Sequence, residues 1–248
     1  MKQIIFACNW KMYVDAPVRA KALVRASIAA ARRANIPLIF LPSTAHLSDV
    51  VSAGGKRAGV SYGAQTISSY VTGAYTGEVS ARQVRALGAT YALIGHSERR
   101  RFFGETDAVI KQKIQRAQEA GIVPIVCVGE SKKTTPTRAA AFACAQMKRA
   151  GGNGKEYQPW YVAYEPVWAI GGNKEVDPAY AAAVMRALSI CAKKQKRRLL
   201  GMWYGGSVNQ KTVGDFLRIK ECTGVLVGSA SANPRTIAAL CKEAARRY

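Results

Sequence analysis

Eight short apolar runs, each followed by a longer stretch of helical period, constrain this chain more than any other feature. The runs lie near residues 3–8, 37–41, 59–63, 91–94, 122–128, 160–164, 199–204 and 223–227. Most are continuously apolar rather than alternating, the pattern of parallel strands covered on both faces. Between them Ala20, Val24, Ile28 and Ala31 fall on one helical face. So do Ile110, Ile114 and Ala117, and later Tyr180, Val184, Ala187 and Cys191. Asp177-Pro178 and Asn233-Pro234 mark two helix starts, each with a capping side chain ahead of a proline at the first helical position. Gly151-Gly152-Asn153-Gly154 reads as a stop and turn after a helix.

Repeated β-then-α units predict an α/β fold, a single (β/α)8 barrel with a closed, parallel, eight-stranded sheet and outer helices. The 248 residues suit one catalytic domain spanning 1–248, since such barrels take ~250 residues. A doubly wound open sheet uses the same units and is the alternative. Its nucleotide-binding form is weakened because no G-x-G-x-x-G or G-x-x-x-x-G-K-[ST] motif occurs.

Charge is the anomaly: 37 Lys+Arg against 15 Asp+Glu give a net charge of +22. Such a surface attracts anions. The basic residues are spread over several predicted helices, as in Arg19, Lys21, Arg25, Arg32 and Arg33 and again in the run from Lys193 to Arg198. That run reads as a solvated helix end. Aromatics are not interleaved with the basic residues, so a dedicated nucleic-acid surface is not expected. Six scattered cysteines without a C-x-x-C pair predict reduced thiols and a cytoplasmic location. With only His46 and His96 available, no metal site is expected. No apolar run approaches the ~20 residues of a membrane span.

In an α/β barrel the functional residues sit where strands end. Those junctions read Asn9-Trp10-Lys11, Gly95-His96-Ser97-Glu98-Arg99-Arg100, Glu165-Pro166-Val167-Trp168, Gly205-Gly206-Ser207 and Gly228-Ser229. They supply a carboxylate, an imidazole, a lysine and two glycine-containing turns near predicted helix starts, where backbone N–H groups can hold an anion. The combination points to proton abstraction beside a carbonyl on a phosphorylated substrate.

The blocks Cys8-Asn9-Trp10-Lys11-Met12, Gly73-Ala74-Tyr75-Thr76-Gly77-Glu78-Val79-Ser80, Gly95 to Arg100, Ala163 to Gly171 and Tyr204-Gly205-Gly206-Ser207-Val208 occur in that order. Together they resemble the triosephosphate isomerase family across essentially the whole chain. The resemblance implies a TIM barrel that interconverts dihydroxyacetone phosphate and D-glyceraldehyde 3-phosphate in glycolysis and gluconeogenesis, with no cofactor. It implies Glu165 as the base, a neutral His96 polarising the carbonyl, Lys11 holding negative charge and Asn9 supporting the enediolate oxygen. Gly171, Ser207, Gly228 and Ser229 would bind phosphate, and Ser97, Glu98 and Cys127 would support these groups. Residues 166–174 would form a closing lid. A homodimer is implied through the loop from Gln65 to Glu78, whose Tyr70, Val71, Tyr75 and Thr76 are costly to leave exposed.

The lid sequence Gly171-Gly172-Asn173-Lys174 and the Gly228-Ser229 pair depart from the family's usual pattern. They touch lid behaviour and pocket size, not the reaction type. The alternatives are an isomerase of a four-carbon sugar phosphate, erythrulose 4-phosphate, and a basic polyanion-binding protein on the same fold.

Overall fold

The computed structural model describes residues 4–151, 159–171 and 175–246. Each predicted apolar run forms a strand. The chain runs β1 (Ile5–Asn9), α1 (Pro17–Ala34), β2 (Leu38–Leu41), α2 (Leu47–Gly54), β3 (Val60–Ala64), α3 (Ala81–Ala86), β4 (Tyr91–Ile94), α4 (Ser97–Phe102) and α5 (Asp107–Glu119). It continues through β5 (Val123–Val128), α6 (Pro136–Gly151), β6 (Trp160–Tyr164), α7 (Pro178–Lys194), β7 (Leu199–Tyr204), α8 (Val213–Leu217), β8 (Cys222–Val227) and α9 (Pro234–Arg246). The strands pair in sequence order, all parallel, and β1 closes on β8 with Ile5 opposite Gly224 and Cys8 opposite Val227. The closed barrel is thus the fold, and the open sheet is excluded. Closure leaves no sheet edge to cover.

Two apolar layers explain why the strands are continuously apolar. Ala7, Ile39, Leu41, Leu93, Ile125, Cys127, Ala163, Trp203 and Leu226 fill the barrel interior. Phe6, Cys8, Leu38, Phe40, Val126, Val162 and Tyr204 belong to the other layer, packed with apolar residues of the helices. Alternation along a strand also aims the functional residues. Two positions beyond Ala7 lies Asn9, and two beyond Ala163 lies Glu165, so both inherit the inward face at the mouth.

The two predicted helix starts are present. Asp177 accepts from Ala179 N at 2.9 Å and Asn233 accepts from Arg235 N at 2.9 Å. The α6 stop falls at Gly151, while Gly152 to Gly154 lie outside the described residues. In α7 the buried positions are Ala181, Val184, Met185, Leu188 and Ala192. Of the predicted stripe only Val184 is fully buried. Tyr180 and Cys191 sit at its border because they turn toward Glu130 and α6, so this helix packs on two sides.

Two further expectations are corrected. The run from Lys193 to Arg198 is not wholly solvated: Arg197 is buried, stacks on Trp160 at 4.3 Å and donates to the Gly151 carbonyl at 2.7 Å. Nor are all six thiols free, because Cys144 of α6 and Cys191 of α7 form a disulfide. Sequence spacing hides that pair, since only packing of the two helices brings the residues together. No helix among the described residues is long and apolar enough to cross a membrane.

Candidate active site

Asn9 ends β1, and its Oδ1 accepts the backbone N–H of Lys11 at 3.2 Å. That turn puts Lys11 at φ 48°, a left-handed conformation uncommon for a residue with a side chain. Gln65 stabilises it, donating from Nε2 to the carbonyls of Lys11 and Leu41, each at 2.9 Å. The bent backbone carries the ammonium of Lys11 to 2.5 Å from Glu98 Oε1. Asn9, Lys11 and Glu98 therefore form one polar group across the barrel mouth.

Next to Glu98, β4 ends at Ile94, Gly95 follows and His96 caps α4. His96 Nδ1 accepts from Glu98 N at 3.2 Å, so in the neutral ring the proton resides on Nε2. Nε2 lies 3.2 Å from Glu165 Oε1. The other carboxylate oxygen, Oε2, accepts from Ser97 N at 3.0 Å. Glu165 is only 2% exposed. Cys127 lies behind it; burial, and then the nearby Glu165 carboxylate, push this thiol well above its ordinary value. Cys127 therefore remains a neutral hydrogen-bond donor. Two glycines make room here: a Cβ on Gly205 would lie 2.9 Å from Glu165 Cγ, and one on Gly129 would overlap the Glu165 carbonyl.

A cavity of 390 Å³ opens onto these groups. Asn9, Lys11, His96 and Glu165 line it together with Gly171, Ser207, Gly228 and Ser229, and a Cβ on Gly228 would lie 3.6 Å from Lys11 Cε. Backbone in the strand-eight turn leads straight into a 3-10 helix, Ser229–Ala232, with Gly228 at its start. The strand-seven turn differs from the expected helix start, because α8 begins only at Val213. Ser207 Oγ instead donates to the Ala169 carbonyl at 2.7 Å and ties this turn to the segment after Glu165. All four predicted catalytic residues and all four predicted anion-binding residues thus face one cavity. Ser97, Glu98 and Cys127 touch its polar groups from behind. Gly172, Asn173 and Lys174 of the expected lid lie outside the described residues. Among the described residues, no group of three or more His, Cys, Asp or Glu side chains is placed to hold a metal ion.

Sequence reading missed Gln65 and Glu130. Glu130 is 3% exposed and accepts from Tyr164 Oη, Tyr180 Oη and, at 2.7 Å, from Trp168 Nε1. It lies two residues past the end of β5, so the strand-end rule that found Glu165 could have found it too. Burial, and then its charge, push the Tyr180 phenol up to about 12.

A carboxylate, an imidazole with its proton toward the cavity, and an ammonium beside the Gly228 turn can move a proton beside an anionic group. Fold and site together define an α/β-barrel isomerase. A family model described as triosephosphate isomerase matches residues 4–244. The chain is 38% identical to the triosephosphate isomerase of Thermus thermophilus, over 98% of this chain and 99% of that one. It is 34% identical to that of Symbiobacterium thermophilum, over 99% and 98% respectively. A solved triosephosphate isomerase from Bartonella henselae superimposes with a TM-score of 0.82 at 27% identity, covering 97% of this chain and 98% of that chain. This chain belongs to the triosephosphate isomerase family.

Proposed function

We propose that the chain interconverts dihydroxyacetone phosphate and D-glyceraldehyde 3-phosphate using only its own side chains. The observation that carries this reading is the 3.2 Å approach of His96 Nε2 to Glu165 Oε1 in a cavity also lined by Lys11, Gly171, Ser207, Gly228 and Ser229. Glu165 removes the proton from the carbon next to the carbonyl and returns it to the neighbouring carbon. His96 donates its Nε2 proton toward the carbonyl oxygen, and the Asn9 amide and Lys11 ammonium offset the charge of the enediolate. Gly171, Ser207, Gly228 and Ser229 hold the phosphate. The Glu165–Ser97 hydrogen bond represents the carboxylate at rest; substrate draws it away. The segment from Pro166 onward acts as a lid, with Trp168 anchored on Glu130, and keeps water from the intermediate.

Three further features belong to this reading. Residues 1–248 form one catalytic domain, supported by pairing of the first strand with the last. The protein works in the cytoplasm, where triose phosphates are the traffic of glycolysis and gluconeogenesis. It is a homodimer through residues 65–78, where Tyr70, Val71 and Tyr75 are 47%, 36% and 42% exposed. The stacking of Tyr70 on Tyr75, with ring centroids 3.7 Å apart, presents a flat apolar surface.

A coupled assay with glyceraldehyde 3-phosphate tests the assignment. The wild type turns over rapidly, and Glu165→Asp lowers kcat by roughly 10²–10⁴-fold with little change in KM. A higher kcat/KM for erythrulose 4-phosphate than for the three-carbon substrate would overturn the substrate choice. Equal turnover by both enzymes would remove Glu165 as the base.

A further inference from the structure

Away from the barrel mouth, the disulfide between Cys144 and Cys191 lies in a surface groove of 580 Å³ between α6 and α7. The groove is lined by both cysteines, Lys148, Lys194, Gln195, Ala187 and Ile190. Both half-cystines are half-buried and line this open groove. Gln195 Nε2 donates to Cys191 Sγ at 2.9 Å and to Cys144 Sγ at 3.5 Å. A donor aimed at sulfur stabilises a thiolate more than a disulfide sulfur, and two ammonium groups in the same groove act in the same direction. The other four cysteines, Cys8, Cys127, Cys222 and Cys241, are buried. Burial pushes the thiols of Cys8, Cys127 and Cys241 up, Cys241 to about 12, which withholds them from exchange.

We propose that Cys144 and Cys191 form a thiol–disulfide exchange site that Lys148 and Lys194 match to a small anionic thiol of the glutathione class. In reduction, the incoming thiolate attacks one Sγ and the protein S–S bond breaks. The electron pair leaves on the other Sγ, beside Gln195, and that sulfur takes a proton. A second small thiol then displaces the first as a low-molecular-weight disulfide, leaving two protein thiols. Oxidation by that disulfide runs the same steps backward, so electrons and protons balance without another reagent. Because the bond ties α6 to α7 and not the cavity, its state changes stability while the isomerase site stays intact.

The test places the whole protein in glutathione buffers of defined ratio of thiol to disulfide, then alkylates it and maps the label by mass spectrometry. Label is expected on Cys144 and Cys191 alone, rising and falling reversibly with the ratio. Glutathione is expected to reduce the bond several-fold faster than the cationic thiol cysteamine, compared at equal thiolate concentration. In the Lys148→Ala/Lys194→Ala variant that preference is expected to vanish, with isomerase activity unchanged. The thermal midpoint should drop by roughly 10 °C on reduction and, independently, in Cys191→Ser. A bond that resists glutathione at every ratio, or equal rates with both thiols, would overturn the proposal.

Discussion

At Glu105 burial and pairing act in opposite directions. Burial pushes its carboxyl up, but hydrogen bonds and charge from Lys113 and Arg99 outweigh that and hold it below the usual carboxylate range. Lys113 Nζ lies 2.5 Å from Glu105 Oε1 and also donates to Thr66 Oγ1 at 2.9 Å, so the pair fastens the start of the 65–78 loop to α5. Glu105→Ala would strand the Lys113 ammonium, which is 5% exposed, and should cost about 3–5 kcal/mol in urea unfolding. Sign also follows. A carboxylate with a lowered folded value lends stability that is present above the unfolded value and lost as pH falls through the folded one. Unfolding midpoints measured downward from pH 6 should therefore fall less steeply in Glu105→Gln than in the wild type. None of this was legible in the sequence. Asn9, His96 and Glu165 could be found because each follows an apolar run, but Glu105, Lys113, Gln65 and Arg197 gain their partners only through tertiary contact.

Elements show the same division. Strands were legible nearly to the residue because burial on both faces leaves little choice of side chain, and the capped starts of α7 and α9 were legible because capping is local. The α6–α7 disulfide was not, since both cysteines sit among four others at unrevealing distances. Closing a loop of 47 residues' separation, that bond restricts the unfolded chain by about 4 kcal/mol in the chain-entropy picture. Asp177 acts at the opposite end of α7, where the proposed lid returns to regular structure. Asp177→Ala should cost about 1 kcal/mol, read from the shift in thermal midpoint. Trp168→Phe keeps an aromatic ring, though a smaller one, but loses the 2.7 Å bond to Glu130, and should lower kcat several-fold while KM changes little.

For the molecule as a whole, the +22 charge acts on encounter before it acts on chemistry. If diffusion of the doubly anionic substrate limits turnover, kcat/KM should fall several-fold as ionic strength rises from low to physiological, with kcat steady. A flat salt profile would show that the basic surface does not steer the substrate. The exposed face of the 65–78 loop sets the other molecular-scale expectation. Sedimentation should report a dimer, and Tyr75→Asp should convert it to a monomer of much lower activity. Pairing of β1 with β8 reaches further, into how the protein is made. On the ribosome β1 emerges carrying Asn9 and, just beyond, Lys11, yet the strand that closes on it, β8, follows only after β2 to β7. Gly228 and Ser229 of the cavity lining arrive just after that strand. A nascent chain must therefore keep an unclosed sheet out of trouble until β8 has emerged, and fragments stalled before it can hold neither closure nor a complete site.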